Sequence, residues 1–359
     1  MIIIVGPLPP PVHGAALITQ RVTDRLAAHG FRLLTCSTAP GKTTARWQYH
    51  LSRISAYLHC WSSILRSRVD RERSSAVYVS LSGGFGLLYD FVVIAAARLK
   101  RYDVVLHHHS FSYLARPSRI MGAITRIAGA DQLHIALCSR MASSVSQRYG
   151  VNLKTVVVSN LAFFDLAEPD RPLAGRKLSR IGYLSNISRG KGIDRFLDMM
   201  AELRSRNSKV AACIAGPFGD ADTEAYVRRR IDEIGGVDYV GPVFDAAKDR
   251  FLSSIDVLVF PTRYVHEAQP LVIFEAQAAG ALVSATDRGC IPDMVSRELL
   301  LDPSASDLTQ IVDQLLAWEK DASAFATALE KVDGLRLKLR EQRQQDFDRF
   351  YDVLRPYKE

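Results

Sequence analysis

The chain has 359 residues, a net charge of +8 and an apolar fraction of 48%. That length suits two domains of roughly 100–200 residues each. No apolar run approaches the ~20 residues needed to cross a bilayer, which sets a membrane-spanning protein aside. The five cysteines (Cys36, Cys60, Cys138, Cys213, Cys290) are scattered, odd in number and never in C-x-x-C. They argue against a disulfide framework or a zinc site and fit a reducing compartment.

The chain starts directly on a strand, Ile2–Val5, without a basic-then-apolar leader, so no secretory signal is expected. The loop Gly6-Pro7-Leu8-Pro9-Pro10-Pro11-Val12-His13-Gly14-Ala15-Ala16 follows. Its glycines let backbone approach a ligand closely, but it is not G-x-G-x-x-G, which disfavours a nicotinamide site. Further strands are expected at Arg32–Cys36, Ala76–Leu81, Val104–His107, Gln132–Cys138 and Thr155–Val158, with helices between them. Gly41-Lys42-Thr43 imitates the end of a P-loop, but the first glycine would have to stand at Cys36. From Arg46 to Arg66, residues Trp47, Leu51, Ile54, Leu58, Trp61 and Leu65 form one helical apolar stripe, with Arg46, Arg53, Arg66, Arg68, Arg71 and Arg73 in or just beyond it. A basic amphipathic helix with tryptophans can lie in a bilayer interface, and the same pattern also describes a helix packed on its own domain. Ser82-Gly83-Gly84-Phe85-Gly86 and His107-His108-His109 end two of the strands. Strand alternation puts His107 and His109 on one face and His108 on the other.

Glu168–Gly175 has linker chemistry and separates a second α/β series. Its strands are Ile181–Leu184, Val210–Ala215, Asp238–Val240, Ile255–Phe260 and Ala281–Ala285. Alternating strands and helices in both halves predict α/β layers with parallel sheets, so ligands belong at the carboxyl ends of the strands. The run Ser185-Asn186-Ile187-Ser188-Arg189-Gly190-Lys191-Gly192 follows the first of these strands. Asp220-Ala221-Asp222 spells D-x-D but precedes a helix over Thr223–Ile231, where acids cap and favour the helix dipole. Glu267 and Glu275 flank Pro270, a residue suited to a first helical turn, and Gly280 suits the end of that helix. Glu267 is thus expected on a loop and Glu275 about one turn into a helix. The amides of Leu271 and Val272 at that helix start suit a phosphate. A phosphate flanked by two hydroxyl-binding carboxylates describes a nucleotide-sugar site. Beyond Pro303 the chain reads as helical and ends in the charged run Arg336–Glu359.

Charge is uneven. Residues 1–165 hold 19 Lys+Arg against 7 Asp+Glu, and the rest 27 against 31. The first half therefore calls for an anionic partner. No helix-turn-helix, zinc-finger or aromatic-interleaved pattern points to nucleic acid, which leaves an anionic membrane surface as the better partner.

The segment Pro261–Ala276 resembles the E-x7-E motif of retaining glycosyltransferases of the GT-B fold, in particular the large family four. Ser185–Asp194 resembles that family's G-R-x-x-x-x-K-G element, with Asn186 where Arg is usual. This variant is similar to a branch that builds bacterial surface polysaccharides. Gly6–Ala16, Ala215-Gly216-Pro217, Gly241-Pro242-Val243, Val158-Ser159-Asn160 and Asp287–Asp293 extend the likeness. The resemblance implies two Rossmann-like domains facing across a cleft, an acceptor-side domain over 1–168 and a nucleotide-sugar domain over 176–337. It also implies a C-terminal helix, 338–359, that crosses back to the first. It assigns Glu267 to the sugar hydroxyls, Glu275 to the ribose, and Lys191 with Arg189 and Asn186 to the pyrophosphate. Leu271, Val272, Gly14 and Gly216 would line the donor, and His109, with His108 next, would lie near sugar and acceptor. The implied activity is transfer of a sugar from a nucleotide diphosphate sugar to a glycan, lipid-linked in this branch, without metal or other cofactor. A cytoplasmic location, peripheral on the inner membrane face, follows. Two rivals stand beside it: a GT-B nucleotide-sugar epimerase, and a non-catalytic subunit that binds nucleotide sugar or scaffolds an assembly.

Overall fold

A computed structural model describes residues 1–10, 14–40, 46–67, 74–150, 153–166, 175–305 and 307–358. Pro11–His13, the P-loop imitation at Gly41–Thr43, Arg68, Arg71, Arg73 and most of the Glu168–Gly175 linker lie outside the described residues. The chain divides into two compact units, Met1–Phe164 with Gln342–Glu359, and Asp165–Glu341.

The first unit runs β1 (Ile2–Gly6), α1 (Gly14–Ala28), β2 (Leu33–Ser37), α2 (Arg46–Arg66), β3 (Ala76–Leu81), α3 (Gly86–Leu99), β4 (Asp103–His108), α4 (Ser112–Ala115), α5 (Arg119–Ala128), β5 (Leu133–Ala136), α6 (Ser139–Tyr149) and β6 (Lys154–Val157). Its six parallel strands are ordered β2-β1-β3-β4-β5-β6. β1, β3 and β5 are buried along their whole length, as expected for central parallel strands covered on both faces. β5 is shorter than the sequence suggests: Leu137 and Cys138 lie beyond it, and α6 starts at Ser139.

The second unit runs β7 (Arg180–Leu184), α7 (Ile193–Ser205), β8 (Ala211–Ala215), α8 (Ala221–Ile234), β9 (Val237–Gly241), α9 (Asp245–Ser254), β10 (Val257–Phe260), α10 (Leu271–Ala278), β11 (Leu282–Thr286), β12 (Leu300–Leu301), α11 (Thr309–Lys320) and the start of α12 (Ala322–Leu354). Its sheet is also parallel, ordered β12-β11-β10-β7-β8-β9. The two-residue β12 has too little apolar pattern to be read from sequence. Asp220 is the N-cap of α8, accepting from the Thr223 amide at 2.7 Å and its hydroxyl at 2.9 Å, so D-x-D serves as a cap here.

From Gln342 onward α12 packs in the first unit. Phe350 is fully buried with its ring centroid 4.9 Å from that of Phe163. Arg349 donates to the Val157 carbonyl at 2.7 Å, and Asp346 accepts from the Ser159 amide at 3.4 Å. Among the described residues no helix is long and apolar enough to cross a membrane.

The first core holds a directed polar chain. Gln132 spends its amide donors on the carbonyls of Thr125 (2.7 Å) and Gly129 (2.8 Å), so its oxygen must accept from His134 Nε2 at 2.8 Å. A neutral His134 then accepts at Nδ1 from His108 Nε2 (2.9 Å), and His108 Nδ1 accepts from the Tyr113 hydroxyl (2.9 Å). With both imidazoles neutral, every link of the chain pairs one donor with one acceptor. Burial pushes His134 and His109 down to about 4, and His107 and His108 well below the usual histidine range. Burial acts oppositely on Asp90, raising it to about 6.

A depressed folded-state pKa contributes stability that is full above the unfolded value of about 6.5 and is lost as pH falls towards about 4. Asp90 opposes this between about 4 and 6, but it is one group against four. Amide exchange in peptides covering β4 and β5, corrected for intrinsic rate, should therefore be faster at pH 5 than at pH 7.5. Equal or slower exchange at pH 5 would overturn the account.

Candidate functional site

In the second sheet the chain moves outward from β7 to β8 and β9, then returns to the other side of β7 with β10. Strand order reverses between β7 and β10, and the crevice at the carboxyl ends of such a pair is where open α/β sheets bind ligands. The loops leaving these two strands carry Lys191 and Glu267.

These loops meet backbone to backbone. After β7 the chain makes a 3-10 turn over Arg189–Lys191, capped by Ser188, whose hydroxyl accepts from the Lys191 amide at 3.3 Å. Gly192 ends the turn at φ +81°, where an added Cβ would lie 2.0 Å from the Pro261 carbonyl oxygen. The Arg263 amide donates to the Gly190 carbonyl at 2.9 Å. The Glu267 segment is propped from beneath by the loop after β11. Gly289 (φ +54°) leaves no room for a Cβ, which would sit 2.2 Å from the Glu267 carbonyl oxygen, and the Cys290 amide donates to the Ala268 carbonyl at 2.8 Å.

Lys191 Nζ lies 2.7 Å from Glu267 Oε2, which also accepts from the Thr262 hydroxyl at 3.1 Å. The carboxylate side chain is only 9% exposed and the lysine 26%. The ammonium also faces the rings of Tyr264 and Phe260, 5.0 and 5.7 Å from their centroids. Glu267 thus sits on the loop before α10, and Pro270 is the residue just before its first turn. The amides of Leu271 and Val272, in that turn, have no acceptor within the helix. Glu275 lies one turn in and pairs with Lys248 of α9 at 2.5 Å.

The other expected donor residues fall into place differently. Arg189 lies with its guanidinium 3.6 Å from the Tyr226 ring centroid on α8, so the described contact of this cation is with an aromatic face and not with the Glu267 pair. Asn186 is exposed at the loop start. Gly216 is buried at φ +124°, where a Cβ would lie 1.8 Å from the Ser185 carbonyl oxygen, so it brings the loop after β8 against the loop after β7. Lys248 was not singled out from sequence. It lies on a separate helix, and only the fold brings it to Glu275.

Gly14 and His109 belong to the first unit. Gly14 opens α1, exposed, and a Cβ there would meet nothing within 4 Å. His109 follows β4 with its ring 4.0 Å from that of His107, and its Nε2 has no partner among the described residues. His108 differs, since both its nitrogens are engaged by Tyr113 and His134. Among the described residues no group of three or more His, Cys, Asp or Glu is arranged to hold a metal.

Residues 179–332, which contain this site, match the family described as Glycosyl transferases group 1. Among solved structures the chain is similar to HepE of Anabaena in complex with UDP-glucose, with 16% identity and a TM-score of 0.73 over 98% of this chain and 100% of that one. It is also similar to sucrose-phosphate synthase of Thermosynechococcus elongatus, with 15% identity and a TM-score of 0.65 over 97% and 99%. A third likeness is to TarM, with 15% identity and a TM-score of 0.65 over 85% and 58%. No curated protein matches the chain. Identities this low carry the fold alone. That fold is the two-domain GT-B fold, and with the family match it makes the chain a glycosyltransferase.

The two loop glycines predict opposite outcomes. Gly192→Ala forces a Cβ into a carbonyl oxygen at a left-handed backbone position, and should cost about 2 kcal/mol or more. Gly14→Ala meets open space and should leave stability within about 0.5 kcal/mol. Urea melts of the two variants test this, and equal midpoints would overturn the packing account.

Proposed function

We propose that the chain is a retaining glycosyltransferase of the family-four type. It would transfer a sugar from a nucleoside diphosphate sugar to a lipid-linked glycan acceptor in surface polysaccharide assembly, at the cytoplasmic face of a membrane. The observation that carries this reading is the Lys191–Glu267 pair at the β7/β10 crevice, beside the start of α10. A cation and a helix N-terminus suit a pyrophosphate, and the adjoining carboxylates suit sugar and ribose hydroxyls. HepE was solved with UDP-glucose, so uridine diphosphate is the first nucleotide to test.

In the proposed reaction the acceptor hydroxyl oxygen bonds to the anomeric carbon as the bond from that carbon to the β-phosphate oxygen breaks. The acceptor proton passes to the departing phosphate oxygen on the same face, which retains configuration. Lys191 and the Leu271 and Val272 amides stabilise the charge that develops on the phosphate, a term that is commonly the largest in such catalysis. Those groups already supply positive charge, so the reaction is read as metal-independent. Glu267 orients the sugar and Glu275 holds the ribose, itself steadied by Lys248. His109 is the first unit's candidate for contact with the sugar or the acceptor, and Gly14 its candidate for the donor. The unpartnered Nε2 of His109 favours it over His108.

Titration calorimetry with UDP, other nucleoside diphosphates and their sugars, in the presence of chelator, tests the donor site. One nucleotide should bind with micromolar affinity, and Lys191→Ala and Glu275→Ala should each weaken it about tenfold, equivalent to ~1.4 kcal/mol. A folded protein that binds none of the panel would sink the donor reading and bring the scaffold reading forward. Release of an altered sugar without any acceptor would instead favour the epimerase.

A further inference from the structure

α2 packs on its own unit and still leaves its apolar stripe in solvent. Its covered side is formed by Tyr57, Cys60 and Ile64, all buried. Trp47 (64% exposed), Leu51, Ile54, Leu58 (56%) and Trp61 remain exposed along a neighbouring stripe of the helix. The exposure continues onto α3, which packs beside α2, through Phe85 (85%), Leu88 and Val92. Arg53 bridges the two helices, its guanidinium 5.5 Å from the Tyr89 ring centroid and against Gly86. Large apolar side chains exposed together on two neighbouring helices mark a place where something docks.

Charge says what docks. α2 and α5 contain no acidic residue, and the single one on α3, Asp90, is buried. α5 packs beside α3 and presents Arg119 and Arg126, and α2 ends in the exposed Arg66. The whole first unit holds 23 Lys+Arg against 10 Asp+Glu, while the second holds 23 against 28. A second copy docking through the same face would set these arginines against one another, which disfavours a symmetric dimer. A planar anionic surface with an apolar layer beneath it satisfies both features, because exposed tryptophans and aliphatics enter the acyl boundary while arginines meet the headgroups.

We propose that the α2–α3–α5 face docks on an anionic lipid bilayer, with Trp47, Leu51, Leu58, Trp61 and Phe85 inserted and Arg66, Arg119 and Arg126 at the headgroup level. The face also reaches a ligand-side loop. Tyr57, on the covered side of α2, donates to Asp90 at 3.0 Å and lies 3.1 Å from the Ser82 hydroxyl, and Asp90 accepts from the Ser82 amide at 2.8 Å. Ser82 begins the loop after β3, and Phe85 stands on it. Docking thus sets the carboxyl end of the first sheet at the membrane surface, where a lipid-borne molecule is within reach. The proposal stands whether or not the donor-site reading holds.

The full chain is mixed with vesicles of phosphatidylcholine alone, or of phosphatidylcholine with phosphatidylglycerol, and sedimented. Sedimentation with the anionic vesicles and at least tenfold less with the neutral ones is expected, weakening as salt rises above about 0.15 M. Two of the three tryptophans lie on this face and the third, Trp318, is buried. Tryptophan emission should therefore shift to the blue and be quenched by brominated acyl chains. The double variant Leu51→Ser/Leu58→Ser, at exposed positions, should lose at least tenfold in vesicle binding with an unchanged melting temperature. No binding to anionic vesicles, equal binding to neutral ones, or no quenching by brominated lipid in the unaltered chain would overturn the proposal. So would a dimer in light scattering that dissociates in the double variant, which would assign the face to a second copy.

Discussion

The contact on which the second unit's site depends is the backbone approach of the loop after β7 to the loop after β10. Gly192 against the Pro261 carbonyl and the Arg263 amide on the Gly190 carbonyl hold the loops at a fixed distance. That distance lets Lys191 reach Glu267. A carboxylate with a side chain only 9% exposed is costly without compensation, and Lys191 with the Thr262 hydroxyl supplies it. An entering anion would draw on the same ammonium. The hydroxyl-rich part of a ligand could take over the carboxylate at the same time, so the pair can be opened without leaving either charge bare.

Much of the fold was legible because parallel strands covered on both faces read as continuous apolar runs. Ala76–Leu81 needed no revision, and most other strands shifted by one residue. Two-residue β12 left no pattern to find. In the site, the placing of Glu267 on a loop and Glu275 one turn into a helix came from the positions of Pro270 and Gly280, which are local signals. What sequence could not supply were partners brought by crossovers. Lys248 reaches Glu275 from the preceding helix, and Tyr226 receives Arg189 from across the loop. Gly216, expected to line the donor, also has a packing role that sequence does not reveal, since the Ser185 carbonyl leaves no room for a Cβ.

The three successive histidines show how one strand yields different chemistry at adjacent positions. Alternation turns His108 towards β5, where His134 and, behind it, Gln132 dictate its tautomer, while His107 and His109 share the other face. His107 meets the Tyr78 hydroxyl at its Nδ1. Among the described residues His109, beyond the end of β4, finds no partner for its Nε2, and burial holds it neutral. A neutral imidazole can accept or donate one hydrogen bond without bringing charge, which suits contact with a hydroxyl better than with a phosphate. Spacing alone did not show that His108 is hydrogen-bonded at both nitrogens, because one of its partners, His134, lies on the neighbouring strand.

α2 carries two apolar aspects, and only one of them is used by the fold. The sequence offered interfacial docking and internal packing as alternatives; packing accounts for Tyr57, Cys60 and Ile64, which face inward, and it leaves the tryptophan stripe outward, available for the proposed docking. The inward residues explain how the exposed ones are tolerated, since the helix is held by its covered side and needs nothing on the other. They also make its position consequential. Tyr57 and Asp90 join α2 and α3 to the Ser82 amide, so the helices cannot shift without disturbing the loop after β3. Burial raises both the Tyr57 hydroxyl and the Asp90 carboxyl, so each is held towards its protonated form. The Tyr57 hydroxyl and the Ser82 amide both donate to Asp90, so the carboxyl beneath the apolar face is compensated by hydrogen bonds.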